Sequence, residues 1–227
     1  MSSTRKIAII GAGGKTTLLR MLSAHNRAKH VLATTTTHIL PLSPPEVDRL
    51  CINPQAEALC AALSCSGITC AGTRKDGRKL TSLAPELLAL AEQYADYIFY
   101  EADGAKRMPL KLHSPTEPVI LPDTAHCIIV VGLSALGRPL SECVHRYALH
   151  PEWSKTPERP VDTQIILTCI EDAIRASKMP TERLTILLNQ VDACPEPCDE
   201  ILSALQNVRC AAISLQRDGL PDLLSSL

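Results

Sequence analysis

Five stretches of this chain are apolar almost without a break: "KIAIIG" (Lys6–Gly11), the start of "HVLATTTTHI" (His30–Ile39), "DYIFYE", "AHCIIVVGLSALG" (Ala125–Gly137) and "RLTILLN". A strand with one solvated face alternates apolar and polar residues, whereas one covered on both faces does not. Helical patterns lie between them. Thr16 to Asn26 puts Leu18, Leu19 and Leu22 on one face, Ala84 to Ala95 has Pro85 in its first turn, and a long amphipathic segment starts at Arg159. Glu196 to Gln206 reads as a further helix, "VRCAAISL" as a last strand and "GLPDLLSSL" as a short terminal helix. Strands and helices in alternation imply an α/β fold in three layers, α/β/α, with a mainly parallel sheet. The intervening region, about 40–82, carries helical patches broken by "NP" and a "KDGRK" turn. It reads as a small hairpin-containing extension of a single domain over 1–227.

In such sheets the working loops gather beyond the carboxyl ends of the strands. Four polar clusters fall there: "GAGGKTT", "TTTTH", "EADGAK" and "NQVD". Composition narrows what they serve. The formal net charge is -1 and aromatic residues make up 3% of the 227, so neither a phosphate-backbone footprint nor a base-stacking platform is present, and nucleic acid is excluded as a partner. No run reaches the length of a membrane span, and the short apolar start ends in glycines rather than a cleavage site, so the expected location is the cytoplasm. The ten cysteines include no C-x-x-C pair. They read as reduced, mostly buried thiols, with Cys194 and Cys198 of "CPEPC" the one pair to watch.

"GAGGKTT" sits between a strand and a helix, where phosphate loops are found. It does not complete G-x-G-x-x-G, because Thr16 stands at the third glycine position and the second strand ends in threonines rather than an acid. The end of the P-loop pattern G-x-x-x-x-G-K-[ST] is matched by Gly14, Lys15 and Thr16, but the loop is contracted and Ile9 occupies the first glycine position. Phosphate needs successive main-chain N–H groups, a helix start and a cation. Gly11, Ala12, Gly13 and Gly14 supply the first, Lys15 the cation, and Thr16 and Thr17 hydroxyls at the helix start. The competing reading is a plain glycine-rich turn; Lys15 opposes it, since a cation at a helix start is disfavoured without an anion nearby.

The remaining clusters extend this P-loop NTPase-like reading. Glu101 and Asp103 are candidates to place Mg²⁺ together with Thr16 and to orient a water or an acceptor, and the Gly104 amide can face a γ-phosphate. Thr36, His38 and Lys106 are further candidate contacts. In "NQVD", Asn189 and Asp192 have the spacing of the guanine-reading N-K-x-D, with Gln190 in place of its lysine; ATP and GTP both stay open. His145 and Arg146 of "ECVHRYAL" read equally as a surface pair or as part of a site.

Taken together, "GAGGKTT", "ATTTTHI", "EADGAKRMPLK" and "NQVD" resemble the YqeC family, from Ile7 to about Leu224, with "EADGAKRMPLK" the most specific element. The resemblance implies an accessory protein for selenium-dependent molybdenum hydroxylases or their selenium and molybdenum cofactor. It also implies kinship with P-loop GTPases that mature metalloenzymes. The expected activity is Mg²⁺-assisted hydrolysis of ATP or GTP, with Lys15, Glu101 and Asp103 catalytic. The expected partners are the nucleotide and the hydroxylase or its cofactor machinery, with a second copy of the chain kept open. Two other readings stay beside it. One is a small-molecule kinase whose acceptor is held by "TTTTH" and by Lys106, Arg107 and Lys111; the other is a carrier that binds nucleotide or molybdopterin without turnover.

Overall fold

The computed structural model describes residues 4–74, 77–193 and 198–225. Cys194 of "CPEPC", Glu196 of the expected helix, and Lys75 and Asp76 of the "KDGRK" turn lie outside the described residues. The fold is α/β, with a mainly parallel sheet of eight strands flanked by helices, in keeping with the three-layer expectation. The chain divides into two compact units, 1–9 with 16–102 and 119–125, and 10–15 with 103–118 and 126–227.

The first unit holds Arg5–Ile9 of β1 (Arg5–Gly11), most of α1 (Lys15–His25), β2 (His30–Thr35), β3 (Arg49–Ile52), α2 (Ala56–Leu63), β4 (Gly67–Gly72), α3 (Pro85–Ala91) and β5 (Tyr97–Glu101). Its strands run parallel in the order β1-β5-β2-β4-β3. The register sets Glu101 opposite both Ile9 and Thr35, which brings three strand ends to one level. Leu18, Leu19 and Leu22 are wholly buried, as their helical spacing requires. Each is worth roughly 1.5–3 kcal/mol of transfer free energy.

One expectation changes within 40–82. The stretch 49–52 is a strand rather than a helical patch, because Arg49 fixes it to β4 through Thr69 and through the carbonyls of Cys65 and Ser66. The residues that flank the "KDGRK" turn pair antiparallel at Thr73 and Thr81, as the hairpin signal led one to expect. Gly67–Gly72 itself pairs in parallel with β2 and β3, and a further antiparallel bridge joins Ile39 to Leu80.

The second unit holds the end of β1 at Ile10 and Gly11, β6 (Leu110–Lys111), β7 (His126–Gly132), α4 (Leu140–Cys143), β8 (Val144–His145), α5 (Thr163–Ser177), β9 (Leu184–Asn189), α6 (Cys198–Ala204), β10 (Arg209–Ile213), α7 (Leu215–Asp218) and α8 (Asp222–Ser225). Strands β10, β9 and β7 are parallel neighbours, and β6 and β8 form a separate parallel pair. β7 stops at Gly132 in a 3₁₀ turn, short of the strand end expected at Gly137. Asp162 caps α5 by accepting from the Ile165 amide, and Ile165, Ile166, Cys169, Ile170 and Ala173 form its buried face. Of the nine described cysteines, all free, Cys70, Cys127, Cys143, Cys169 and Cys198 are buried and Cys65 is exposed. Burial pushes the Cys127 and Cys169 thiols well up and that of Cys70 up to about 11. No helix among the described residues is long and apolar enough to cross a membrane.

Candidate functional site

The glycine loop and Lys15 belong to the second unit. Ala12 donates its amide to the Val130 carbonyl, which anchors the loop beside β7. Gly13 adopts φ +82°, and a Cβ there would lie 2.5 Å from Gly132 Cα; at Gly14, with φ +141°, it would lie 2.3 Å from Asn189 Nδ2. Neither position accepts a side chain without moving its neighbours. Asn189 donates to the Gly13 carbonyl (2.7 Å) and accepts from the Leu215 amide (2.9 Å), so "NQVD" is tied at once to the glycine loop and to the start of α7. Gln190, with φ 68°, accepts from Ser134, and Asp192 is exposed. Among the described residues, no group accepts from the amides of Gly13 and Gly14.

Lys15 finds its anion inside the protein. Its Nζ donates to the Gly11 carbonyl (2.7 Å) and faces Asp103 Oδ1 at 3.0 Å, an ion pair without hydrogen-bond geometry. Asp103 is wholly buried. Its Oδ2 accepts from the Gly11 amide (2.9 Å) and bonds to His113 Nε2 (2.8 Å), with Lys111 Nζ at 3.0 Å. Burial alone would raise this carboxyl; the ammonium of Lys15, the His113 hydrogen bond and Lys111 outweigh it and hold the group well below the usual carboxylate range.

Two further acids extend the cluster. His113 bonds through Nδ1 to Asp172 Oδ2 (2.9 Å), and its amide donates to the same oxygen (2.8 Å). Burial opposes the imidazolium, but the bonds to Asp103 and Asp172 prevail, so its pKa is raised. Lys111 also donates to the Gly104 carbonyl (2.7 Å) and to Glu117 Oε2 (3.0 Å), which Arg146 approaches as well. Despite its burial Glu117 is held low by Arg146 and Lys111, and Asp172 likewise by His113 and Arg175. The sequence offered no sign of Asp172. Lys111 and His113 alternate in "LKLH", a period-two signal that would have placed both on one strand face.

The first unit holds a smaller arrangement. Thr16 donates its hydroxyl to Glu101 Oε1 (2.5 Å), Thr36 donates its amide to the Glu101 carbonyl (3.0 Å), and the Thr36 hydroxyl is taken by the Val119 carbonyl (2.7 Å). Thr17 is half-buried in α1, while His38 is exposed, as is Lys106 in the second unit. A hydroxyl and a carboxylate are hard oxygen donors of the kind Mg²⁺ accepts. Asp103 fits that ion poorly, since its oxygens already serve three basic side chains and an amide. Among the described residues, no three His, Cys, Asp or Glu side chains gather as a metal cluster.

The parallel α/β fold, with a glycine turn between first strand and first helix, thus defines the class. The YqeC protein family model matches residues 7–148, and the chain belongs to the YqeC family. A relative is the "Uncharacterized protein YqeC" of Escherichia coli (strain K12), 31% identical over 221 residues, spanning 92% of this chain and 86% of that one. No solved structure matches.

Proposed function

We propose that the chain binds the phosphates of ATP or GTP at Gly11–Lys15 and hydrolyses the terminal one as an accessory protein of selenium-dependent molybdenum hydroxylase maturation. The observation that carries the nucleotide reading is the pair of unclaimed amides of Gly13 and Gly14 at the head of an eleven-residue helix, followed directly by Lys15. Main-chain N–H groups at a helix start are the donors a phosphate oxygen needs. Lys15 meets the Gly11 carbonyl and Asp103 Oδ1. A phosphate oxygen can take the place of the carbonyl at little cost, while Asp103 keeps the ammonium aimed. Asp103 is then a positioning residue, and Lys15 neutralises the charge that develops on the transferred group.

Thr16 and Glu101 would hold Mg²⁺, which when bound neutralises phosphate charge. Glu101 also has the residue type and place to orient the attacking water. Asn189 fixes the "NQVD" segment to the loop, and the exposed carboxylate of Asp192 is the group left to read a base edge. The client side of the reading rests on the family resemblance carried by "EADGAKRMPLK".

The test is a titration of the whole chain with ATP and GTP in Mg²⁺, with phosphate release followed on wild type, Thr16→Ala and Glu101→Gln. Binding with release that both variants cut sharply supports the reading. Tight binding without release favours the carrier, and release that needs an added small acceptor favours the kinase. No binding of either nucleotide overturns the proposal.

A further inference from the structure

The parallel pair β6 and β8 sets Lys111 beside His145, and the Leu112 amide donates to the His145 carbonyl. His145 is 8% exposed, and its ring makes no hydrogen bond with any described residue. With no bond to a described side chain, the ring is open to an acceptor or donor from outside the chain. Its surroundings are basic. The charges of Arg146, Lys111 and Lys106 act on it, and Glu117 is the acid that faces them. That single carboxylate is shared between Lys111 and Arg146. Shortly before Lys111 in the sequence, Lys106 and Arg107 are exposed and consecutive in the left-handed region, at φ 47° and 64°, and Arg146 is a third such residue at φ 64°. Non-glycine residues seldom sit there, and each does so at a cost of order 1 kcal/mol.

We propose that His145, Arg146 and the Lys106–Arg107 pair form a second anion site, built from different residues than the glycine loop, that takes a phosphate-type dianion on a small molecule. The ring would supply the buried hydrogen bond, Arg146 a planar donor face already braced by Glu117, and the two exposed cations the long-range attraction. Lys106 then serves this second ligand rather than the nucleotide. Burial, followed by the charges of Arg146, Lys111 and Lys106, pulls the His145 pKa down to about 4, so at neutral pH the ring is uncharged and offers one N–H. An anion beside it relieves part of that repulsion and raises the pKa.

Sulfate is the probe, because it stays a dianion across the range studied; imidazole resonances of the intact chain are followed by NMR against pH, with and without it. Sulfate should raise the His145 midpoint by about one unit or more. Lys106→Ala with Arg107→Ala, both on exposed side chains, should weaken sulfate binding about tenfold. Inorganic phosphate should compete with sulfate. Saturating ATP or GTP with Mg²⁺ should leave the sulfate response in place. The proposal is overturned if the His145 midpoint does not move, if the double variant binds sulfate as wild type does, or if nucleotide alone reproduces the whole shift. Should nucleotide fail to bind while sulfate still moves His145, the nucleotide reading falls and this site stands.

Discussion

Glu101 and Asp103 are two carboxylates one residue apart, and the chain uses them in opposite ways. Asp103 is wholly buried and faces Lys15, Lys111 and His113, with the Gly11 amide as well. Glu101 ends β5 and meets the hydroxyl of Thr16. An acid ringed by basic side chains is a fastening; one that meets a threonine hydroxyl makes with it a pair of hard oxygen donors. Residue type and spacing alone do not separate these roles. What marks Asp103 is the ring of Lys15, Lys111 and His113 around it, which other elements of the fold bring to its carboxylate.

The sharpest way to break this contrast is Asp103→Ala. It removes the buried carboxylate that faces Lys15, Lys111 and His113 and should cost about 3–5 kcal/mol, or roughly 10 °C in melting temperature for a chain of this size. Urea unfolding of Glu101→Ala should show less than about 1.5 kcal/mol lost, while its phosphate release falls roughly a hundredfold. Equal stability losses in the two variants would erase the distinction.

Next in size is Asn189→Ala. It strands the Gly13 carbonyl and the Leu215 amide, for an expected loss of about 1–3 kcal/mol and a weaker hold on nucleotide. Asp192→Asn, on an exposed side chain, should leave stability unchanged and remove any preference for GTP over ATP; unequal affinities that survive it would take Asp192 out of the base-reading role.

A pH series sharpens the contrast further. The raised His113 contributes stability that is complete below its unfolded pKa near 6.5 and is lost as pH climbs through the folded value. Asp103, Asp172 and Glu117 are depressed, so their contribution is complete above about 4.5 and is lost as pH falls through their folded values. The lowered His145 adds a contribution that is complete above about 6.5 and is lost as pH falls toward about 4, so urea midpoints should be highest near pH 6.5, and His113→Gln should flatten the alkaline limb. The smallest expected effect is that of His38→Ala. This exposed residue should change stability by no more than about 0.5 kcal/mol, and a tenfold drop in nucleotide affinity would restore it to the site.

Most of the sheet could be read directly, because parallel strands buried on both faces are long apolar runs, and "KIAIIG", "YIFYE" and "RLTILLN" are such runs. The strand Arg49–Ile52 could not: it is four residues long, only half-buried, and held by an arginine that reaches other segments. The glycine loop was visible for the same local reasons that make it a loop. Its electrostatics were not. The cation of Lys15 suggested a missing anion, and the structure supplies Asp103. His113 and Asp172 stayed hidden because the bond between them joins residues 59 positions apart.

The buried thiols carry a last consequence. Where burial holds the sulfur protonated, as at Cys127 and Cys169, the reactive thiolate is scarce and oxidants find little to attack. Alkylating reagents should therefore mark Cys65 long before either of those two, so the chain's thiol chemistry lies at the protein's rim rather than in its interior.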